Sequence, residues 1–230
     1  MTFKEFYEKD WVAKDGAPAE VDPILAPRQK RIAEVVQPMV NGRSPHEIRV
    51  LDASCGFGIF VRFFRELGLD VVGSDISASA IARAKQINSG TRFVTASVEE
   101  ALPFDDASFD VVWFGETLAQ LFDGHKALSE LNRVLKPGGK LILTTPYHSR
   151  FKMLAIVLFA YHKHFYPDNY RLRFYDRRGL TESLEWAGFT PQHWRGVGRM
   201  WPFWMSFFAV AAKTGLPGPP PDRLEPRGPR

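Results

Sequence analysis

From Ile48 onward, short runs that are apolar at nearly every position alternate with stretches of helical period. The runs IRVLDA, DVVGSD, TRFVTAS, FDVVWFG and KLILTTP read as strands of a parallel sheet covered on both faces, because a half-exposed strand would be apolar only at alternate positions. Between them, apolar residues recur every three or four positions, predicting helices over Gly58–Leu67, Ala78–Ile87 and Ala127–Leu135. Lys136-Pro137-Gly138-Gly139 stops the last of these and turns the chain into the next strand. A helix around Thr181–Ala187 is expected to end at Gly188, and MSFFAVAAK supplies a final strand. Ahead of the alternating region, a helix from Pro27 to Met39 carries Ile32, Val35 and Val36 on one face, and Phe3, Phe6, Tyr7 and Trp11 suggest a short helix packed on the body. Strands alternating with helices of this length predict an α/β fold, a Rossmann-like, doubly wound, mostly parallel sheet.

Three segments follow from the pattern: a helical stretch over 1–47, an α/β domain over 48–213, and a tail over 214–230 too rich in proline, glycine and arginine to bury apolar surface. The 230 residues suffice for one domain with a sizeable core. A single cysteine, Cys55, excludes an intramolecular disulfide framework and makes the reducing cytoplasm the expected compartment. No run reaches the roughly 18–20 apolar residues of a spanning helix, and the first ten residues lack a signal-peptide core. The net charge of +4 is too small to imply nucleic acid. It is concentrated, however. Between Arg150 and Arg178 seven basic residues face only Asp168 and Asp176, a local excess larger than that of the whole chain.

Where the first strand meets the first helix of the alternation stands Asp52-Ala53-Ser54-Cys55-Gly56-Phe57-Gly58. Glycines at such a turn permit positive φ and close approach of a ligand to the backbone, and the helix behind offers unpaired amides. The second strand ends in Asp75, placed to accept both hydroxyls of a ribose. A dinucleotide would want a third glycine, but Ile59, Phe60 and Val61 follow Gly58, and Asp52 ahead of the turn suits an ammonium better than a pyrophosphate. These features favour S-adenosylmethionine (SAM) and leave a dinucleotide-dependent oxidoreductase as a disfavoured alternative.

The chain resembles the class I SAM-dependent methyltransferases, especially the small bacterial branch related to quinone- and sugar-modifying enzymes. The resemblance runs from about Ile48 to Lys213 and is carried by LDASCGFG, VVGSDIS, VEEALPFDDASFDVV and LSELNRVLKPGGKLILTTP. It implies a seven-strand sheet of the methyltransferase type, SAM as cofactor and S-adenosylhomocysteine as product. By resemblance, Asp52, Ser54, Gly56 and Gly58 surround the methionyl part, Asp75 holds the ribose and Ile76 packs on the adenine. Ser97 and Val98 meet the adenine edge, while Phe114 and Gly115 line the side nearest the sulfonium. The chain departs from the family pattern at Ser54, where glycine is usual, at Ser97, where aspartate is common, and at Gln120, where a histidine is common; the expected consequence is lower cofactor affinity. A non-catalytic binding module with this fold, at a membrane surface, is the alternative those departures keep open.

Phe151–Ala160 is apolar but for Lys152, and an aromatic and basic run follows it. A helix apolar all round must be buried, lie on a membrane surface or wall an apolar pocket. The family resemblance makes the insertion over 147–178 a lid on the acceptor, and its composition suits a small-molecule acceptor that is anionic or amphiphilic. Methyl transfer is an in-line displacement in which the protein aligns the acceptor and manages its proton. For oxygen methylation, His148 is the best-placed base, with Tyr147 beside it and His125 second; nitrogen or carbon methylation leaves no different mark in these motifs. Cys55 reads as a packing residue, Gly138 and Gly139 as turn glycines, Asp105 and Asp106 as a solvated turn, and no ligand spacing for a metal occurs.

Overall fold

The computed structural model describes residues 22–165 and 172–219, together with Glu5, Glu8, Lys9 and Val12. Strand β1 (Arg49–Asp52) lies between β2 (Asp70–Asp75) and β4 (Phe109–Gly115) and is parallel to both. β3 (Arg92–Thr95) extends the sheet beyond β2, and β5 (Leu135–Pro146) extends it beyond β4, again in parallel. β7 (Ser206–Lys213) joins β5 antiparallel, and β6 (Phe189–Val197) closes the far edge, giving the order β3-β2-β1-β4-β5-β7-β6. The chain winds outward from β1 to β3 and then restarts at β4 on the other side of β1. At that switch the loops leave in opposite directions, and a crevice opens beyond the C-terminal ends of β1 and β4.

Helices α1 (Leu25–Val36), α2 (Ile59–Glu66), α3 (Ala78–Ile87), α4 (Gly124–Val134), α5 (Arg150–Phe159), the single turn α6 (Tyr161–His164) and α7 (Arg177–Trp186) complete the described elements. Alternate strand residues feed two cores. Val50, Val71, Val111, Trp113, Ile142 and Val210 meet Ile32, Phe64 and Ile81 on one face, and Leu51, Val72, Val112, Phe114, Leu141 and Leu143 meet Leu128, Leu131 and Leu184 on the other. This double burial is why the strands read as unbroken apolar runs.

Two polar clusters lock the frame. Asp110, nearly buried at the start of β4, accepts from Lys136 Nζ (2.7 Å), the Arg49 amide (3.0 Å) and Arg43 Nη1 (3.3 Å). Lys136 reaches it from the Pro137-Gly138-Gly139 turn, which bulges out of β5 between the Phe109–Leu135 and Val111–Lys140 pairs. Gly139 cannot carry a Cβ there, since one would stand 2.8 Å from the Lys136 carbonyl oxygen. On the other face, Arg133 of α4 donates to the carbonyls of Leu102 and Phe104 and to Asp106 and Glu130, while Glu130 accepts from the Leu102 amide. The loop between β3 and β4 is thereby clasped to α4.

The expected fold is borne out, with corrections at several boundaries. α1 ends at Val36 and passes into a 3₁₀ turn over Gln37–Val40. α4 begins at Gly124, ahead of its apolar repeat, because the Asp123 side chain caps it by accepting from the Lys126 amide at 3.0 Å. β6 carries no apolar run and was not expected: as an edge strand with Pro191 and an irregularity near it, it needs one only where Phe189 and Trp194 touch the core. Residues 214–219 run back along α4 and α7, where Gly215 accepts from Asn132 Nδ2 and the Gly218 amide donates to the Trp186 carbonyl. The remainder of the expected tail, and Phe3, Phe6, Tyr7 and Trp11, lie outside the described residues.

Burial alone would raise the Asp110 carboxyl, but Lys136, the Arg49 amide and Arg43 outweigh it and hold the group below its ordinary value. A carboxyl lower in the folded than in the unfolded chain contributes stability that is complete above about pH 4 and is lost as pH falls through the folded value. Asp110→Asn is expected to lose roughly 1 kcal/mol at pH 7 in urea unfolding, with the difference from wild type closing below about pH 3.

Candidate functional site

β1 ends at Asp52, which is buried behind the cleft and is not among the residues that line it, and the Ala53–Gly58 turn then winds back toward β2. The Ala53 amide donates to the Trp113 carbonyl and the Cys55 amide to the Ser74 carbonyl, both at 2.9 Å, so the turn is strung between two neighbouring strands. Gly58 starts α2 at φ 79°, and a Cβ on it would lie 2.7 Å from Asn88 Nδ2 and 3.2 Å from the Phe93 ring. Only glycine fits. The Gly56 amide donates to Asp75 Oδ2 (2.9 Å) and the Ser77 amide to Oδ1 (3.0 Å), which fixes the Asp75 carboxylate and leaves each oxygen further lone pairs. Glu8 reaches the same place from the N-terminal region, accepting from the Ser79 amide at 2.9 Å.

A cleft opens here, beyond the C-terminal ends of the strands, where an open α/β sheet places its ligand. Of the residues expected at a cofactor, Ser54, Asp75, Ile76, Ser97 and Val98 line it. Ala53, Ala96, Glu99, Thr117, Gln120 and Leu121 line it as well. Of these only Gln120 stood out in the sequence; the others follow the ends of β1, β3 and β4, where an open α/β sheet gathers its ligand contacts. Ser54 does not crowd the turn: its hydroxyl meets Thr117 Oγ1 at 2.7 Å, and Thr117 also reaches the Gly115 carbonyl at 3.0 Å, tying the β1 turn to the β4 loop. Ser97 Oγ accepts from the Glu99 amide at 3.2 Å and shapes the adjoining loop.

Three expected residues serve the site through the backbone or from behind. Gly56 and Gly58 shape the turn, and Gly115 leaves room for Trp113, whose indole a Cβ would approach to 2.8 Å. The Phe114 side chain does not line the cleft; it is fully buried in the core beside Leu118 and Leu121.

The site is acidic. Asp52 is buried, and among the described residues neither of its carboxylate oxygens has a hydrogen-bond partner. Burial first and the Asp75 charge second push it well above its ordinary value, and the Ser54 amide nearby offsets little of this. Burial likewise raises Asp75, with Glu8 adding to it. Oε1 of Glu116 and Oε1 of Gln120, in the loop after β4, are also buried without partners. Glu116 sits at φ 57°, a left-handed conformation rare for a side chain of its size and fixed by its amide donating to the Thr144 carbonyl at 2.8 Å. These orphaned atoms are all acceptors, and among the described residues no lysine or arginine lines the cleft. Such a site fits a cationic ligand and disfavours a pyrophosphate. SAM, which carries a sulfonium, an ammonium and a ribose, meets this test.

Cys55 is no nucleophile here: burial, then Asp52 and Asp75, raise its thiol well above its ordinary value and keep it protonated. Among the described residues no three histidine, cysteine, aspartate or glutamate side chains converge as a metal site.

The three expected base candidates part company. His148 is buried just past β5, its ring 4.8 Å from that of Phe174 and 5.7 Å from that of His164. The amides of Leu172 and Arg173 both donate to the Ala119 carbonyl, which brings Phe174 over the loop lining the cleft. Tyr147 instead packs edge-on against Trp204 and Phe207, with Lys152 Nζ donating to its carbonyl. His125 is turned away, its Nε2 3.2 Å from the Gly218 carbonyl. It is not among the residues lining the cleft, which leaves it out of reach as a second base.

A carboxyl raised in the fold costs stability as pH climbs from its unfolded toward its folded value. Asp52→Asn is therefore expected to raise the melting temperature of the ligand-free protein at pH 8 by a few degrees, about 1–2 kcal/mol, with the gain vanishing near pH 4.

The profile of the family described as "Methyltransferase domain" matches residues 51–143. The malonyl-[acyl-carrier protein] O-methyltransferase of Enterobacter lignolyticus is 36% identical over 117 residues, 51% of this chain and 45% of that protein. The demethylmenaquinone methyltransferase of Renibacterium salmoninarum is 36% identical over 113 residues, 49% of this chain and 47% of that protein. The match thus spans less than half the length of these curated relatives. Among solved structures, the 1,6-didemethyltoxoflavin-N1-methyltransferase of Burkholderia thailandensis, crystallised with its substrate and S-adenosylhomocysteine, superposes with a TM-score of 0.66 at 22% identity, covering 92% of this chain and 89% of that one. A SAM-dependent methyltransferase of Mesorhizobium loti gives a TM-score of 0.59 at 17% identity, covering 77% and 97%. These likenesses establish the fold.

Proposed function

We propose that the chain, whose residues 51–143 match the methyltransferase-domain family, is a class I SAM-dependent methyltransferase that binds SAM in the acidic cleft and transfers the methyl group to a small-molecule acceptor, by preference to oxygen. The observation that carries this reading is Asp52, a buried carboxylate with no hydrogen-bond partner among the described residues, beside a ribose-ready Asp75. Asp52 would face the ammonium of the methionyl part, Asp75 the ribose hydroxyls, and Ile76, Val98 and Leu121 the adenine faces, with Ser97 and Glu99 at its edge. The orphaned oxygens of Glu116 and Gln120 add negative potential on the side of the β4 loop. The bound cofactor supplies an electrophilic methyl on a positively charged sulfur.

His148, buried with its ring against Phe174, would take the proton from a hydroxyl acceptor. Phe174, on the stretch whose Leu172 and Arg173 amides donate to the Ala119 carbonyl, favours an acceptor with an apolar portion. Of the two curated relatives, the name of the malonyl-[acyl-carrier protein] O-methyltransferase supports oxygen as the first choice, and that of the demethylmenaquinone methyltransferase supports an amphiphilic acceptor.

The test follows methyl transfer from labelled SAM to a panel of hydroxylated and carboxylated amphiphiles, with and without His148→Ala. Turnover by wild type and a fall in kcat of about 10²-fold or more in the variant, with cofactor affinity unchanged, are expected. Undiminished turnover of the variant across pH would remove His148 from the mechanism, and no transfer to any acceptor would overturn the enzymatic reading.

A further inference from the structure

Helix α5 is capped like its neighbours, by Ser149, but packs unlike them. α2, α4 and α7 each bury two or more residues, whereas α5 buries none. Its sequence RFKMLAIVLF is apolar at eight of ten positions, yet Phe151, Leu154, Val157, Leu158 and Phe159 are all more than half exposed. The turn between β6 and β7 does the same next door, with Met200 85% and Trp201 64% exposed. The two elements are fastened together: Ser149 Oγ donates to the Pro202 carbonyl at 3.2 Å, and Lys152 Nζ donates to the Trp204 carbonyl at 2.8 Å. A folded chain rarely leaves so large an apolar surface open without something to cover it.

We propose that this face, α5 with the β6–β7 turn, docks the protein on an anionic lipid surface. Charge selects that occupant. From Arg150 to Phe165 and from Gly198 to Ser206 there is no aspartate or glutamate, while Arg150, His162 and Arg199 are exposed beside the apolar side chains. Apolar and aromatic residues with exposed basic groups and no acidic ones in the same two segments match the acyl boundary and headgroups of an anionic leaflet. A second copy offers no such match, since a symmetric contact sets the same basic groups against themselves. α5 is ten residues long, and no helix among the described residues is long and apolar enough to cross a membrane, so the contact is peripheral. The proposal does not depend on the chemistry assigned to the cleft.

The experiment is co-sedimentation of the full chain with phosphatidylcholine vesicles, alone or with about a quarter phosphatidylglycerol, at low and high salt. At least about tenfold more protein is expected on the anionic vesicles, falling off as salt rises. Leu154→Ser/Leu158→Ser/Trp201→Ser and, separately, Arg150→Glu/Arg199→Glu are expected to abolish the binding. Because these side chains are exposed, thermal stability and cofactor titration should stay at wild-type values and report that the fold and cleft are intact. The proposal is overturned by absence of binding to anionic vesicles, or by binding that both variants retain. It is equally overturned if the triple variant dissolves a vesicle-free dimer that wild type forms, which would give the face to a second copy.

Discussion

Two carboxylates at neighbouring strand ends, Asp52 on β1 and Asp75 on β2, are buried where no cationic side chain among the described residues answers them. Asp75 is held by two backbone amides, Asp52 by nothing of hydrogen-bonding quality, and burial raises both. A fold tolerates such a cost only when the rest of the frame is secure. Here the security comes from two cores on either face of the sheet, from the Asp110 cluster at the opposite end of β1 and β4, and from the Arg133 clasp on the β3–β4 loop. The glycine turn also belongs to this arrangement: Gly56 presents its amide to Asp75, and Gly58 starts α2 in a space that admits no side chain.

The sheet was legible because double burial writes each parallel strand as a continuous apolar run, and because turns between strand and helix use residues with distinct backbone requirements. β6 was not, because an edge strand needs neither continuity nor apolarity. At the site, Asp52, the glycine turn and Asp75 could be read because each lies at a fixed offset from a strand end. Thr117 and Glu99 could not: their positions depend on how the loops after β4 and β3 fold back, and a 2.7 Å contact between Ser54 and Thr117 joins residues far apart in sequence. The same contact turns Ser54 from an apparent obstruction into a tie between loops. Phe114 went astray for the converse reason, since a strand end next to a site still buries every second side chain on the core side.

The segment after β5 combines two roles in one stretch of chain. Its inner side carries His148 and meets Phe174 above the loop lining the cleft, while α5 turns its apolar residues outward. Composition alone could not distinguish a buried helix from one facing outward; the absence of any buried residue in α5 does.

The central claim is that the cleft is an electronegative receptor for a cation bearing a ribose. Isothermal titration with SAM, S-adenosylhomocysteine and NAD, each in two buffers of different ionisation enthalpy, tests it most directly. The account predicts micromolar binding of both sulfur ligands, silence with NAD, and release of protons on SAM binding as a positive ligand restores the raised carboxyls toward their ordinary values. Binding of NAD, or no binding of either sulfur ligand, would contradict it.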